Sequence, residues 1–218
     1  MRDFLCDAFN LFRPLQKKVI KYNYISFDIF DTLVIRKCGD PTCVFRLMEE
    51  RYNKSHVNNI TDFYNKRIFA EIVARKTVSK PEITLDDIYE KLGVVYGEYV
   101  ANELHQLEIE TEYEQCIARK EIVSIFNDIV ESKEVVIASD MYLSPDVVIG
   151  ILHKNKIKIP KHIYISSECQ VTKRTGTMFR LIQKDFNCMS QDILHIGDNL
   201  KSDFLRPKLM GLSSYIVK

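Results

Sequence analysis

The sequence predicts an α/β fold: a parallel sheet with a helical segment inserted after its first strand. Three observations carry this. Short apolar runs recur at Tyr24–Phe30, Val135–Ala138, Ile163–Ser166 and Ile193–Ile196, each of strand length. From about Glu121 these runs alternate with segments of helical periodicity, the pattern of a parallel sheet covered on both faces. Between the first two runs, residues 36–120 are polar and helical, with no strong strand. The expected architecture is a Rossmann-like parallel core with an inserted all-helical cap. The expected divisions are 1–22 as an N-terminal helical segment, 23–35 and 121–218 as the core, and 36–120 as the cap.

Each element has its own justification. Arg2–Lys21 spaces Phe4, Leu5, Ala8, Phe9, Leu11, Phe12 and Leu15 by threes and fours, an amphipathic helix stopped or kinked near Pro14. Its acidic residues and lack of a basic face favour packing on the core over a membrane surface. In the insert, Pro41–Tyr52 opens with proline in its first turn. Thr61–Thr77 carries a rough stripe of Phe63, Ile68, Ile72 and Val73. Thr84–Leu92 begins with a Thr cap and Asp87 three residues on, and stops at Gly93. Glu98 to about Glu114 is a fourth helix, dense in Glu. Further helices are expected at Glu121–Ser132, Ser144–Asn155 (Ser144 as N-cap, Pro145 next), Thr175–Phe186 and Ser202–Met210, with a last strand at Ser214–Val217.

Bulk properties exclude several classes. A chain of 218 residues, 46% hydrophobic, suits one sizeable domain with or without an insert. A formal net charge of +1 gives the whole molecule no electrostatic footprint for nucleic acid. No apolar run reaches membrane-spanning length, and Met1–Leu15 is too interrupted for a secretion signal. The six cysteines form no CxxC pair and no zinc spacing. The expectation is a cytoplasmic protein whose cysteines are small buried hydrophobes with reduced thiols.

The chemistry gathers at strand ends. The first run delivers Asp28, with Asp31 three residues on; Val135–Ala138 ends at Ser139-Asp140; Ile193–Ile196 ends at Gly197-Asp198-Asn199, with Asp203 beyond. Lys173 precedes the Thr175 helix. In a parallel sheet these ends share one edge, where ligands bind. Asp28 and Asp198 offer hard oxygen ligands suited to Mg²⁺. A carboxylate clamped by a cation and a lysine stays ionised and can attack phosphorus. Ser139 and the Asp140 amide can donate to phosphate oxygens, and Lys173 supplies positive charge.

The ordered set of motifs resembles that of the haloacid dehalogenase (HAD) superfamily over nearly the whole chain. FDIFDTL at Phe27–Leu33 is similar to the first motif and places the nucleophile on Asp28. VVIAS at Val135–Ser139 resembles the second, Lys173 the third, and HIGDNLKSD at His195–Asp203 the fourth. The insert resembles a helical cap of the C1 type. The wording further resembles a bacterial subgroup associated with glycosyltransferases of surface polysaccharides. The resemblance implies a Mg²⁺-dependent phosphatase acting on a small phosphorylated metabolite, with Asp28, Phe30 (through its carbonyl), Asp198 and Asp203 around the metal.

One departure bears on the chemistry. The second acid of the family's phosphatases falls on Phe30, which transfers no proton. Three consequences compete: Asp31 serves as acid and base from a shifted position; the leaving group needs no strong acid, as with an anhydride or the P–C bond of a phosphonate; or the domain binds a phosphorylated ligand or a polysaccharide-synthesis partner with little turnover. A phosphonate hydrolase also needs a cap lysine; Lys66, Lys76, Lys80 and Lys91 are available, each expected as a solvated surface lysine in preference to that role. Arg36, just past the first motif, is a candidate substrate contact. Arg67, Glu71 and Arg75 share a helical face, expected as an exposed ion-pair ladder in preference to a substrate-facing patch.

Overall fold

The computed structural model describes residues 13–217. Five parallel strands form the sheet: Tyr24–Phe27 (β1), Glu134–Ser139 (β4), His162–Ile165 (β5), Ile193–Gly197 (β6) and Ser213–Ile216 (β7), in the order β5-β4-β1-β6-β7. The central strand is β1, with Phe27 opposite Ile137 on one side and Ile196 on the other. Its neighbours β4 and β6 therefore end beside Asp28, the residue that follows β1.

Alternation along the strands explains why both faces are covered. Val135 and Ile137 pack with Ile25, Phe27 and Phe126 on one face. Val136 and Ala138 point the other way, against Met178, Phe179 and Ile182 of the Thr177–Phe186 helix. The Lys120–Ile129 helix closes the first face through Ile122 and Phe126, the latter edge-on to Phe27 at 5.1 Å. A side chain slipped by one residue would face the wrong cluster, so the register is fixed.

Several expectations need correction. Most of the expected N-terminal helix lies outside the described residues; Arg13–Val19 is helical through Pro14 and buries Leu15 and Val19. The first helix of the insert starts at Cys43, after Pro41, and runs to Ser55. The second is Phe63–Thr77. The third, Leu85–Tyr96, has the expected capping box of Thr84 and Asp87 but passes through Gly93 and stops at Gly97, whose φ of 82° terminates it. Glu98–Gln115 is the fourth. The expected Ser202–Met210 helix is a π-helical stretch, Leu200–Leu205, followed by Arg206–Leu209.

Two short strands went unforeseen. Val34–Arg36 (β2) and Cys116–Ala118 (β3) pair antiparallel, Arg36 opposite Cys116. Only three residues each, they carry no length over which alternation could register. They form the neck through which the chain enters and leaves the helical insert. Nearby, Cys38 and Cys43 are joined by a disulfide, against the expectation of reduced thiols. Cys116 is free and buried.

The expected exposure of Arg67 is also corrected. Arg67 is fully buried, with both oxygens of buried Glu108 at 2.7 Å, and Tyr89 Oη donates to the same carboxylate. The guanidinium lies 4.6 Å from the Phe45 ring and 4.9 Å from that of Tyr142. Arg67 is thus an interior ion pair and no substrate patch, while the expected ladder runs outward from it, with Glu71 3.2 Å from Arg67 and 3.0 Å from the partly exposed Arg75. The insert also touches the core away from the neck. Leu85 N donates to Tyr142 O (3.0 Å), Glu82 N to Gln170 Oε1 (3.2 Å), and Ser166 Oγ to Glu82 Oε2 (3.3 Å).

Candidate active site

The site grows from the end of β1. Asp28 N donates to Ile196 O at 2.9 Å, so the ladder continues one residue past the strand and fixes the Asp28 backbone. The chain then makes a wide turn in which Leu33 N and Val34 N both donate to Ile29 O (2.7 and 3.0 Å). Asp31 takes the left-handed conformation, φ 59°, one that aspartate tolerates better than most residues. Thr32 Oγ1 lies 3.4 Å from Asp28 Oδ2 and 3.3 Å from Asp198 Oδ1, so its single proton joins the first motif to the last.

Lys173 organises the carboxylates. Its Nζ sits 2.6 Å from Asp28 Oδ1 and 2.7 Å from Asp203 Oδ1, and the side chain is buried. Asp203 also accepts from His195 Nε2 (3.0 Å) and Asn199 N (3.0 Å). Because a carboxylate only accepts, His195 Nε2 carries the proton and Nδ1 accepts from Ser26 Oγ (3.0 Å). Burial lowers the His195 pKa, which suits this neutral imidazole.

Asp28, Asp198 and Asp203 each present an oxygen within 4.8 Å of the others, a set that could hold a metal ion. Three carboxylates and one ammonium leave two negative charges unbalanced in a largely buried place. Burial is the main cause that raises the Asp28 carboxyl, to about 7; Lys173 opposes the rise, while Asp203 and Asp198 add to it. Asp198 is raised as well, first by burial and then by Asp203. Asp203 moves down despite burial, held by Lys173 and His195. Lys173 is raised by Asp28 and Asp203. A divalent cation would cancel the unbalanced charge, so the donor set fits one in both charge and oxygen chemistry.

Gly197 is a residue whose part only the structure reveals. A Cβ there would fall 2.4 Å from Asp203 Cγ. The missing side chain is what lets the Asp203 carboxylate lie against the end of β6.

The other expected residues divide. Ser139 ends β4, almost fully buried, and lines the same cavity as Asp28. Asp140 uses its carboxylate to accept from Lys173 N (2.7 Å) and Arg174 N (3.0 Å), so its side chain clamps the loop that carries the lysine. Phe30 lines the cavity with its ring 5.0 Å from the Arg36 guanidinium. Arg36 lines it too, but as a substrate contact it needs correction: its guanidinium is engaged bidentately by buried Glu112, at 2.9 and 3.0 Å. It lies 3.9 Å from Asp31 Oδ2. Glu112 was missed because a Glu in a Glu-rich helix gives no sign of burial. None of Lys66, Lys76, Lys80 and Lys91 lines this cavity. Among the described residues, no helix is long and apolar enough to cross a membrane.

No protein-family model and no curated sequence matches the chain. Solved structures do. The HAD-hydrolase YfnB from Bacillus subtilis, bound to magnesium, aligns at TM-score 0.63 and 17% identity, over 89% of this chain and 87% of that one. A HAD-family enzyme, bt-2542 from Bacteroides thetaiotaomicron, in complex with magnesium and inorganic phosphate, aligns at 0.59 and 15%, over 90% and 94%. The L-2-haloacid dehalogenase from Xanthobacter autotrophicus with chloropropionic acid covalently bound aligns at 0.59 and 13%, over 90% and 77%. At these identities the likeness establishes the fold.

Proposed function

We propose that this chain is a Mg²⁺-dependent phosphatase that hydrolyses a small phosphomonoester through an aspartyl-phosphate on Asp28. One observation carries the reading: the Asp28, Asp198 and Asp203 carboxylates within 4.8 Å of one another, with Lys173 bonded to two of them. A dehalogenase of this fold works without a metal and has no use for that acidic triad. Asp28, Asp198, Asp203 and the Phe30 carbonyl would hold the cation. When bound, Mg²⁺ neutralises the phosphoryl oxygens and keeps the Asp28 carboxylate ionised.

The residues of the chain account for the remaining steps. Lys173 holds Asp28 Oδ1 and thereby orients the carboxylate. The ionised carboxylate attacks phosphorus, the P–O bond to the leaving group breaks, and Asp31 gives that oxygen its proton. Asp31 then takes a proton from water, whose oxygen attacks the aspartyl-phosphate. Phosphate leaves and Asp28 is restored. The place of Asp31 in the lining of the same cavity as Asp28 supports this shifted acid–base role. The substrate class proposed is a sugar, polyol or amino-alcohol phosphate.

A second reading rests on Phe30 itself. Its ring against Arg36 occupies the place of the usual acid, which fits a domain that binds a phosphorylated ligand with little turnover. Phosphate release from a panel of such esters, with and without Mg²⁺, separates the two. The phosphatase reading expects Mg²⁺-dependent release that Asp198→Asn abolishes. Binding without release from any ester would overturn it in favour of the second.

A further inference from the structure

The cavity that holds Asp28 has a volume of about 820 Å³. That lies towards the upper end of the roughly 300–1,000 Å³ common for small-molecule sites, and is more than one phosphate needs. Its lining is divided. The carboxylates of Asp28, Asp198 and Asp203, with Lys173 and Ser139, form the floor at the strand ends. Arg174, Lys201 and Arg206 also line it, and none of the three has an acidic partner among the described residues. This contrasts with Arg36, Arg67 and Arg75, each of which is held by a glutamate.

The three cations are built into one place. Asp140 fixes the Arg174 backbone by accepting from its N–H (3.0 Å), and Arg206 Nε donates to Arg174 O (2.9 Å). Lys201, Ser202, Leu205, Arg206 and Leu209 all face the cavity, at spacings that put them on one side of the winding 200–209 segment. Leu205 and Leu209 are 47% and 79% exposed, so apolar surface alternates with positive charge along that wall.

The phosphoryl group to be transferred must sit at Asp28 and has its own partners there. The outer cations therefore have a different anion to meet. We infer that the leaving group carries a second phosphate, bound by Arg174, Lys201 and Arg206, with Leu205 and Leu209 against the carbon skeleton between the two. This rests on the phosphatase reading for which phosphate is transferred, but its binding half stands independently. The substrate class is thus a bisphosphate ester of a small polyol or sugar.

The test uses non-hydrolysable probes, so it does not depend on turnover. Calorimetry in saturating Mg²⁺ compares a short α,ω-alkane bisphosphonate with the matching alkylphosphonate on the wild-type protein. The bisphosphonate is expected to bind about tenfold tighter or better. Arg174→Ala, Lys201→Ala and Arg206→Ala should each shrink that ratio by about twofold, the strength of an exposed ion pair. The triple variant should bring it near one. Added salt should shrink it in the wild type but not in the triple variant. Equal affinities for the two probes, or variants that weaken both probes alike, would overturn the inference. Failure of the phosphatase reading looks different: no phosphate released from mono- or bisphosphate esters, whatever the binding ratio.

Discussion

Replacing Gly197 by alanine tests the geometry of the carboxylate triad with a single carbon. The backbone of Gly197 is not in the left-handed region, so the cost is steric. The new Cβ would lie 2.4 Å from Asp203 Cγ, 2.5 Å from its Cβ and 2.6 Å from Oδ2. Ordinary contact begins near 3.4 Å, so Asp203 must retreat by about 1 Å or β6 must part from the turn after it. The retreating carboxylate would stretch its bonds to Lys173 (2.7 Å), His195 (3.0 Å) and Asn199 N (3.0 Å). Bonds to charged groups contribute about 1.5–3 kcal/mol each, and overpacking costs about 1–3 kcal/mol. A loss near 3 kcal/mol is the result, about 6–12 °C in Tm for a chain of this size. Mg²⁺ tolerates little departure from its preferred geometry, so its affinity should fall by at least about tenfold. Thermal unfolding with calorimetric Mg²⁺ titration reads both quantities. A variant with wild-type Tm and Mg²⁺ affinity would refute the argument that this glycine makes room for Asp203.

Further outcomes are expected. Asp31→Asn should lower kcat by about a hundred- to ten-thousand-fold while Mg²⁺ still binds; unchanged turnover would remove Asp31 from the mechanism. Asp28, with its carboxyl at about 7, holds a proton in the metal-free native state that the unfolded chain releases near pH 3.9. Its contribution to metal-free stability is therefore complete below about pH 4 and is lost as pH rises towards 7. Mg²⁺ needs the ionised form, so its affinity should climb about tenfold per pH unit up to about pH 7 and then level off; a flat profile from titrations at several pH values would contradict this. Glu112→Gln leaves the Arg36 charge buried without its partner, at a cost of about 3–5 kcal/mol, so Tm should drop by roughly 10 °C in thermal unfolding.

The strands of the core were legible because a parallel sheet makes each one a short, uninterrupted apolar run, and the residue that ends the run is then the one that meets the ligand. Asp28, Ser139 and Asp198 announce themselves in that way, Lys173 and Asp203 only by their place in the order of motifs, and the structure brings all five to one cavity. What the sequence concealed depends on contacts between distant residues. Arg36 looks like a free cation until Glu112, on the Glu98–Gln115 helix, takes its Nε and Nη2. Arg67 sits on a polar helical face and is still buried, because Glu108 and three aromatic rings compensate it. The β2–β3 neck is too short for any periodicity, and Cys38–Cys43 gave no motif spacing. Gly93 would end an isolated helix, yet Leu92 on one side and the packing of the next helix carry it on to Gly97.

The neck between core and insert has an evolutionary reading. Arg36 and Cys116 are register partners across an antiparallel pair, and Lys37 N donates to Gln115 O at 3.0 Å. Everything from 37 to 115 therefore departs and returns at neighbouring points, as the tip of a hairpin does. Antiparallel strands can be closed by a two-residue turn. In principle such a turn could replace the whole helical bundle without moving β1, β4 or β6. Descent could then trade one insert for another while inheriting the acids at the strand ends. The same exchange is open to the protein engineer, who would need to compensate what the insert covers around Tyr142 and Ser166 and to replace the buried Glu112 partner of Arg36.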